Sequence, residues 1–261
     1  VQARDGILQE YVLILDVNCS QCAVRKDSIF KNAVGDQLNC AKRYRHSQLT
    51  FPARSTVYEE NEHNHYIYTL YSGWGAVYKT SNNTGSRQIL RFLLPGDLTG
   101  YQGSTDDIMP HSVSTVTNAV FCVYPREKVK PMLLENPEIA VRFIEMWSRD
   151  LSLCQNHLMA VGRKKALESI TFLLLELFHR ARQQIPDSYE AEENAIDFPL
   201  TQQDIGDAVG MTKIHVNRVM KSLTNDGLIC YHKKKLAILD EEKLRDIAGF
   251  SPAMLEASSP Q

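Results

Sequence analysis

The sequence predicts an α+β fold: an antiparallel β-roll, then one long helix, then a C-terminal winged helix-turn-helix. Three observations carry this expectation. Short runs of β-branched and aromatic residues alternate with turn residues over 49–125. An apolar seam with coiled-coil spacing follows them. Near the C-terminus, two short helical patterns meet at a glycine and lead into a basic hairpin.

The elements fall in chain order. Residues 1–48 are mixed and carry Cys19, Cys22 and Cys40. The candidate strands of the roll, taken as 49–137, are Thr56–Tyr58, Tyr66–Tyr71, Trp74–Tyr78, Gln88–Leu94, Ser112–Thr117 and Val120–Tyr124. Turn signals separate them: Ser72-Gly73, Asn82-Asn83-Thr84-Gly85, Pro95-Gly96-Asp97 and Asn118. A short helix is expected after Pro125 and a long one, 138–163, after Asn136-Pro137. In the long helix Ala140, Ile144, Trp147, Leu151, Cys154, Leu158 and Val161 recur at intervals of four and three, the spacing of a helix-pairing seam. Phe143, Met146, Leu153 and Met159 widen the apolar surface, so one side is free to cover the roll while the other meets a partner helix. Self-association through the seam gives a homodimer. A second amphipathic helix is expected over Lys165–Gln184, then an acidic solvated loop over Ile185–Asn194. The helix-turn-helix unit is placed at 164–250 and a tail at 251–261.

The composition of the 261 residues, 43% hydrophobic and 23% charged, is that of an ordinary globular protein. The longest apolar run, Ala119–Tyr124, is far too short to span a membrane. The chain opens on Val1, so further residues are expected ahead of it, and its first residues lack the basic-then-apolar order of a secretory signal. Six scattered cysteines in a chain of this length suit reduced thiols in the cytoplasm rather than a secreted disulfide scaffold. The net charge of −2 conceals an asymmetry: Thr201–Lys235 carries +3 and the remainder −5. A local basic patch fits a modular reader of nucleic acid. No nucleophile–base pair and no phosphate-cradling glycine loop stands out, which argues against an enzyme.

The strongest motif is Leu200–Leu223. Thr201 is a helix N-cap, Asp204 favours the first turn, and Gly210 ends the first helix. Thr212 caps the second helix, whose core side is Val216, Val219, Met220 and Leu223. Its other side carries Lys213, His215, Asn217, Arg218 and Lys221, a donor-rich set suited to base edges and phosphates. Asn225-Asp-Gly227 turns the chain into a wing with strands Leu228–Tyr231 and Leu236–Leu239 and the basic tip His232–Lys235. Base contacts are expected from Arg218, His215, Asn217 and Lys213, and phosphate contacts from Thr212, Lys221, Lys233, Lys234 and Lys235.

A roll, a seam-bearing helix and a winged helix-turn-helix in this order resemble the family of the cAMP receptor protein and the fumarate–nitrate reductase regulator, the CRP/FNR family. The specific pieces are Leu200-Thr-x-x-Asp-Ile-Gly206, Asn217-Arg218 and Leu94-Pro-Gly-Asp-Leu98. The resemblance implies a homodimeric transcription regulator, an RNA polymerase partner, a pseudo-palindromic double-stranded DNA site and a cyclic-nucleotide-binding-like roll. It also implies a base-reading role for Arg218, while Ile214 stands where the family's usual glutamate would be. Cyclic-nucleotide members pair the phosphate with an arginine, but no arginine lies between Arg91 and Arg126, so cAMP is not expected as a ligand. The oxygen-sensing branch holds a [4Fe–4S] cluster with three N-terminal cysteines and one in the roll. Cys19, Cys22 and Cys122 resemble three of these, Ser28, Ile29 and Phe30 occupy the place of another, and Cys40 is an alternative fourth ligand. The competing expectation is an N-terminal segment without a cluster, its thiols ordinary; Cys154 and Cys230 are expected in the core. His63 and His65 form a His-x-His pair that is either a metal fragment or part of a solvated loop. The functional alternative to DNA binding is a small-molecule or redox sensor whose C-terminal helices mediate protein contacts.

Overall fold

The computed structural model describes residues 19–31, 33, 43–102 and 108–255. Cys40 lies outside the described residues. The chain divides into two compact units: one ends at Val77 and resumes over Phe92–Met146, and the other combines Tyr78–Arg91 with the chain from Trp147 onward.

The first unit is built on the expected antiparallel roll. Strands β1 (Ser47–Phe51), β8 (Ala119–Pro125), β3 (Tyr66–Ser72) and β6 (Leu98–Thr99) form one sheet in that order. The other sheet runs β2 (Thr56–Tyr58), β7 (Ser112–Thr115), β4 (Gly75–Thr80), β5 (Arg87–Leu93). β1 and β6 were not among the expected strands. β1 forms because β8 offers it a complete edge, with Ser47 opposite Val123 and Phe51 opposite Ala119. Gln48 and Thr69 lie opposite Cys122 from its two sides. Cross-strand neighbours share a face, so this register collects the three side chains into one row. Helix α1 (Val129–Glu135) and the first part of α2 (Pro137–Arg163) close the unit. The core joins Ile29 and Phe30 to Ile67, Cys122 and Tyr124 in the roll and to Ile139, Phe143 and Met146 of α2.

In the second unit, α3 (Ala166–Gln184) is the central helix, with Ile170, Leu174, Leu177 and Phe178 fully buried. Around it stand α4 (Gln202–Val209), α5 (Lys213–Asn225) and α6 (Glu241–Ala248). The wing strands β10 (Ile229–His232) and β11 (Lys235–Ile238) are joined by β9 (Ala195–Asp197), which pairs antiparallel with β11. β9 and α6 are additions to the expected layout. Cys230 was expected in the core but is exposed. Buried Ile229 precedes it on β10, and strand side chains alternate faces.

The long helix separates its apolar residues into two stripes. Ile139, Phe143, Met146, Leu153 and Ala160 are buried within the chain. Ile144, Trp147, Leu151, Leu158 and Val161 are exposed, with Ile144 67%, Leu151 60% and Leu158 75% accessible. Met159 sides with the exposed set, and Cys154, also expected in the core, is exposed beside it in this single chain. A row of large aliphatic side chains on one helix face in water is a surface that wants a partner.

Candidate nucleic-acid interface and cysteine cavity

Helix α4 begins with a reciprocal capping box. Asp204 N–H donates to Thr201 Oγ1 at 3.1 Å, and Thr201 N–H donates back to Asp204 Oδ2 at 2.8 Å. Arg87, from the β4–β5 hairpin, binds this helix with two nitrogens: Nη2 to Asp204 Oδ1 at 2.9 Å and Nε to Asp207 Oδ2 at 2.8 Å. Gln88 Nε2 adds a bond to the Ala208 carbonyl at 3.0 Å. The hairpin therefore grips α4 at its acidic side chains and again near its C-terminus. Gly210 ends the helix in the left-handed region, φ +69°, as the sequence suggested. Gly206 fits where a β-carbon would stand 2.5 Å from the Met211 carbonyl oxygen, so the turn closes tightly over it.

Helix α5 starts at Thr212, whose Oγ1 accepts from His215 N–H at 3.3 Å. Val216, Val219, Met220 and Leu223 fix its inner face. The outer face presents Thr212, Lys213, Ile214, His215, Arg218 and Lys221, all exposed. Asn217, expected exposed, is half-buried: it donates through Nδ2 to Gln202 Oε1 at 3.0 Å and braces α5 against α4. At the wing tip, Lys233 and Lys234 both have positive φ, 48° and 63°. That is the two-residue turn a right-twisted hairpin prefers, formed without the usual Asn or Gly. Both lysines are exposed, whereas Lys235 lies on β11 and pairs with Glu190.

In the first unit, Cys19, Cys22 and Cys122 line one cavity of about 30 Å³ together with Ser28, Arg45, Gln48 and Thr69. Two short 3-10 turns, Cys19–Gln21 and Arg25–Asp27, bring the N-terminal thiols there. Gln48 Nε2 donates to Cys122 Sγ at 3.3 Å. Ser28 Oγ donates to the Arg25 carbonyl at 2.9 Å and accepts from Phe30 N–H at 3.2 Å. Burial pushes the Cys22 and Cys122 thiols up from their ordinary range. Of the four cysteines named as a cluster set, Cys19, Cys22 and Cys122 line this cavity with Ser28, and Cys40 lies outside the described residues. Among the described residues, no three His, Cys, Asp or Glu side chains are grouped to hold a single metal ion. His63 and His65 stack with ring centroids 6.4 Å apart.

One cluster has no signal in the sequence. His157 on α2 bonds Glu176 on α3 through Nε2 and the Leu90 carbonyl through Nδ1 at 3.0 Å. Arg180 Nη1 donates to Glu176 Oε1 at 3.1 Å. Burial alone would lower the His157 pKa, but the Glu176 charge and hydrogen bond outweigh it and leave it raised. Burial would likewise raise Glu176, and His157 with Arg180 hold it low.

Comparison with known proteins covers both units. Residues 48–136 match the cyclic nucleotide-binding domain family, and residues 170–247 match the Crp-like helix-turn-helix domain family. The transcriptional activator protein FnrL of Cereibacter sphaeroides is 24% identical over 233 residues, 88% of this chain and 92% of its own. The nitrogen fixation regulation protein FixK of Bradyrhizobium diazoefficiens is 25% identical over 234 residues, 88% of this chain and 94% of its own. Among solved structures, FixK2 from Bradyrhizobium japonicum superposes with a TM-score of 0.70 at 22% identity, covering 78% of this chain and 98% of that one.

Proposed function

The chain belongs to the CRP/FNR family of transcription regulators, which are not enzymes, and on that premise we propose that it is a cytoplasmic, thiol-responsive homodimer that reads a pseudo-palindromic DNA site. The single observation that carries the reading is the outer face of α5, where Lys213, His215, Arg218 and Lys221 stand clear of a firmly capped and braced pair of helices. Arg218 is the base reader, with His215 and Lys213 beside it. Thr212, Lys221, Lys233 and Lys234 take phosphates, and Lys235 joins them only by leaving Glu190. Asn217 acts by holding the recognition helix in place.

Pairing runs through the exposed stripe of α2 from Ala140 to Val161, which would set two α5 helices in successive major grooves, about 10–10.5 base pairs apart. RNA polymerase is the promoter-bound partner. The test is a mobility-shift selection from random duplexes with the full chain. Two-fold symmetric sites are expected, and no sequence preference would overturn the reading.

The signal enters at the cysteine cavity. Cys19, Cys22 and Cys122 line one cavity with Ser28 and Arg45, and an iron–sulfur cluster held there would take the three thiolates, with Ser28 or Cys40 as the fourth ligand. Such a group would supply oxygen-sensitive redox chemistry. The metal-free version is a reversible Cys19–Cys22 disulfide, two thiols giving two electrons and two protons to an oxidant such as a peroxide. Iron and sulfide assay of anaerobically purified protein separates the two. Iron-free protein with operator affinity indifferent to oxidants would overturn both. The stretch between Arg91 and Arg126 offers no arginine to pair a cyclic phosphate, so cAMP is not the ligand of this reading.

A further inference from the structure

We infer that Ile214 reads the DNA directly and selects a base carrying a 5-methyl group, thymine in ordinary DNA, within about two base pairs of the base read by Arg218. This rests on the assignment of α5 as the recognition helix.

Ile214 is 74% exposed at the second position of α5. Its sequence neighbours Lys213 and His215 are exposed and polar, as is Arg218 one turn on. The fold makes no visible use of this side chain. It is absent from the buried core, where Val216, Val219, Met220 and Leu223 already fill the inner face. A β-branched residue is also a mediocre choice for an exposed helical position. What remains is the groove the helix enters. The major groove presents one apolar feature among its donors and acceptors, the thymine methyl. An isoleucine there gains by burying against that methyl, and it leaves no donor or acceptor of its own unpaired.

Position fixes where the methyl should lie. Residues four apart on a helix are neighbours on one face, so Ile214 and Arg218 point the same way. They are separated by about 6 Å of helix rise, which is roughly two base-pair steps. The methyl-bearing base therefore lies within about two base pairs of the guanine that a bidentate Arg218 would select. A carboxylate at the same place would instead accept from the cytosine amino group. The choice of side chain at 214 thus sets one letter of the half-site.

The experiment uses the selected duplex and the full-length protein. Each thymine is replaced singly by uracil, which removes the methyl and nothing else. One position per half-site should lose about fourfold in affinity, the worth of one buried methyl group. 5-Methylcytosine at that position should bind better than cytosine. Ile214→Ala should erase the uracil penalty there while leaving the guanine preference attached to Arg218. Ile214→Glu should move the preference toward cytosine. Because Ile214 is exposed, both variants should melt with the parent chain, which guards against misreading a folding defect. Sequence-specific binding with no uracil-sensitive position, or with the same sensitivity in Ile214→Ala, would overturn the inference alone. Failure to prefer any duplex would overturn the recognition-helix assignment beneath it.

Discussion

The recognition helix and the cysteine cavity solve opposite problems. On α5, polar groups face outward and stay available, while the helix itself is immobilised by the Thr212 cap and the Asn217–Gln202 bond. In the cavity, the reactive groups turn inward. Cys122 is buried, bonded by Gln48, and shares a small space with Cys19 and Cys22. A reader must meet a large charged partner without rearranging, so its binding energy is not spent on ordering side chains. On the proposed thiol-responsive reading, the thiols must stay quiet until the right reagent reaches them, and burial favours this by suppressing the thiolate. The two regions belong to different compact units, and α2 runs from one unit into the other.

The sharpest test of this division is to break the seam. Leu151→Asp would bury two unpaired carboxylates face to face in a parallel pair, costing roughly 3–5 kcal/mol. Sedimentation should show the dimer dissociating two or more decades more readily, and tight operator binding should go with it. The labelling rate of Cys122 should stay as it was if the cavity is complete within one chain. A Leu151→Asp chain still dimeric at micromolar concentration would place the interface elsewhere.

Within the reader, Arg218→Ala should cost about 1–3 kcal/mol and relax preference at one base pair per half-site, checked by competition with mutated duplexes. The cavity gives the contrasting result. With the Cys122 thiol held above its ordinary value, the thiolate fraction at neutral pH is depressed. Its alkylation should therefore be slow at pH 7 and reach half its maximum at a higher pH than that of a free cysteine peptide treated alongside, read by mass spectrometry. A midpoint below that would mean a nearby cation activates the thiol, and the cavity would then resemble the open, charge-rich reader. The smallest effect belongs to the wing. Lys234→Ala should weaken binding to all sequences alike and, with one wing lost from each half-site, reduce the salt slope of the dimer by about 1.8. A change in base preference would make the wing a reader of sequence.

How much of each region could be read in the sequence follows the same line. The helix-turn-helix is specified locally: Thr201 with Asp204, Gly210, and Thr212 are all within a few residues of what they cap. The roll's other strands were visible as short apolar runs, but β1 and β6 were not. The place of β1 depends on β8, about seventy residues away, and so does the Gln48–Cys122 contact. Three of the cysteines were named together through a family likeness. That Ser28 shares their cavity, and that Arg45 lines it, follows from strand register and from the turns of the N-terminal segment. Asn217 was assigned to bases because its position looked exposed, and its partner Gln202 lies across the turn on the other helix. Cys230 shows how a one-residue offset in a strand reverses a side chain's face. His157 and Glu176 are nineteen positions apart on different helices, and neither residue's own neighbourhood hints at the other.

The wing turn sets backbone ease against charge. Lys233 and Lys234 sit in a left-handed backbone region where a glycine would rest more easily, each lysine there costing about 1–2 kcal/mol. A glycine at either position would relieve that strain and remove one of the two charges at the hairpin tip. A Lys234→Gly chain should be the more heat-tolerant of the two and the poorer at holding DNA, a variant favoured in a test tube and disfavoured at a promoter.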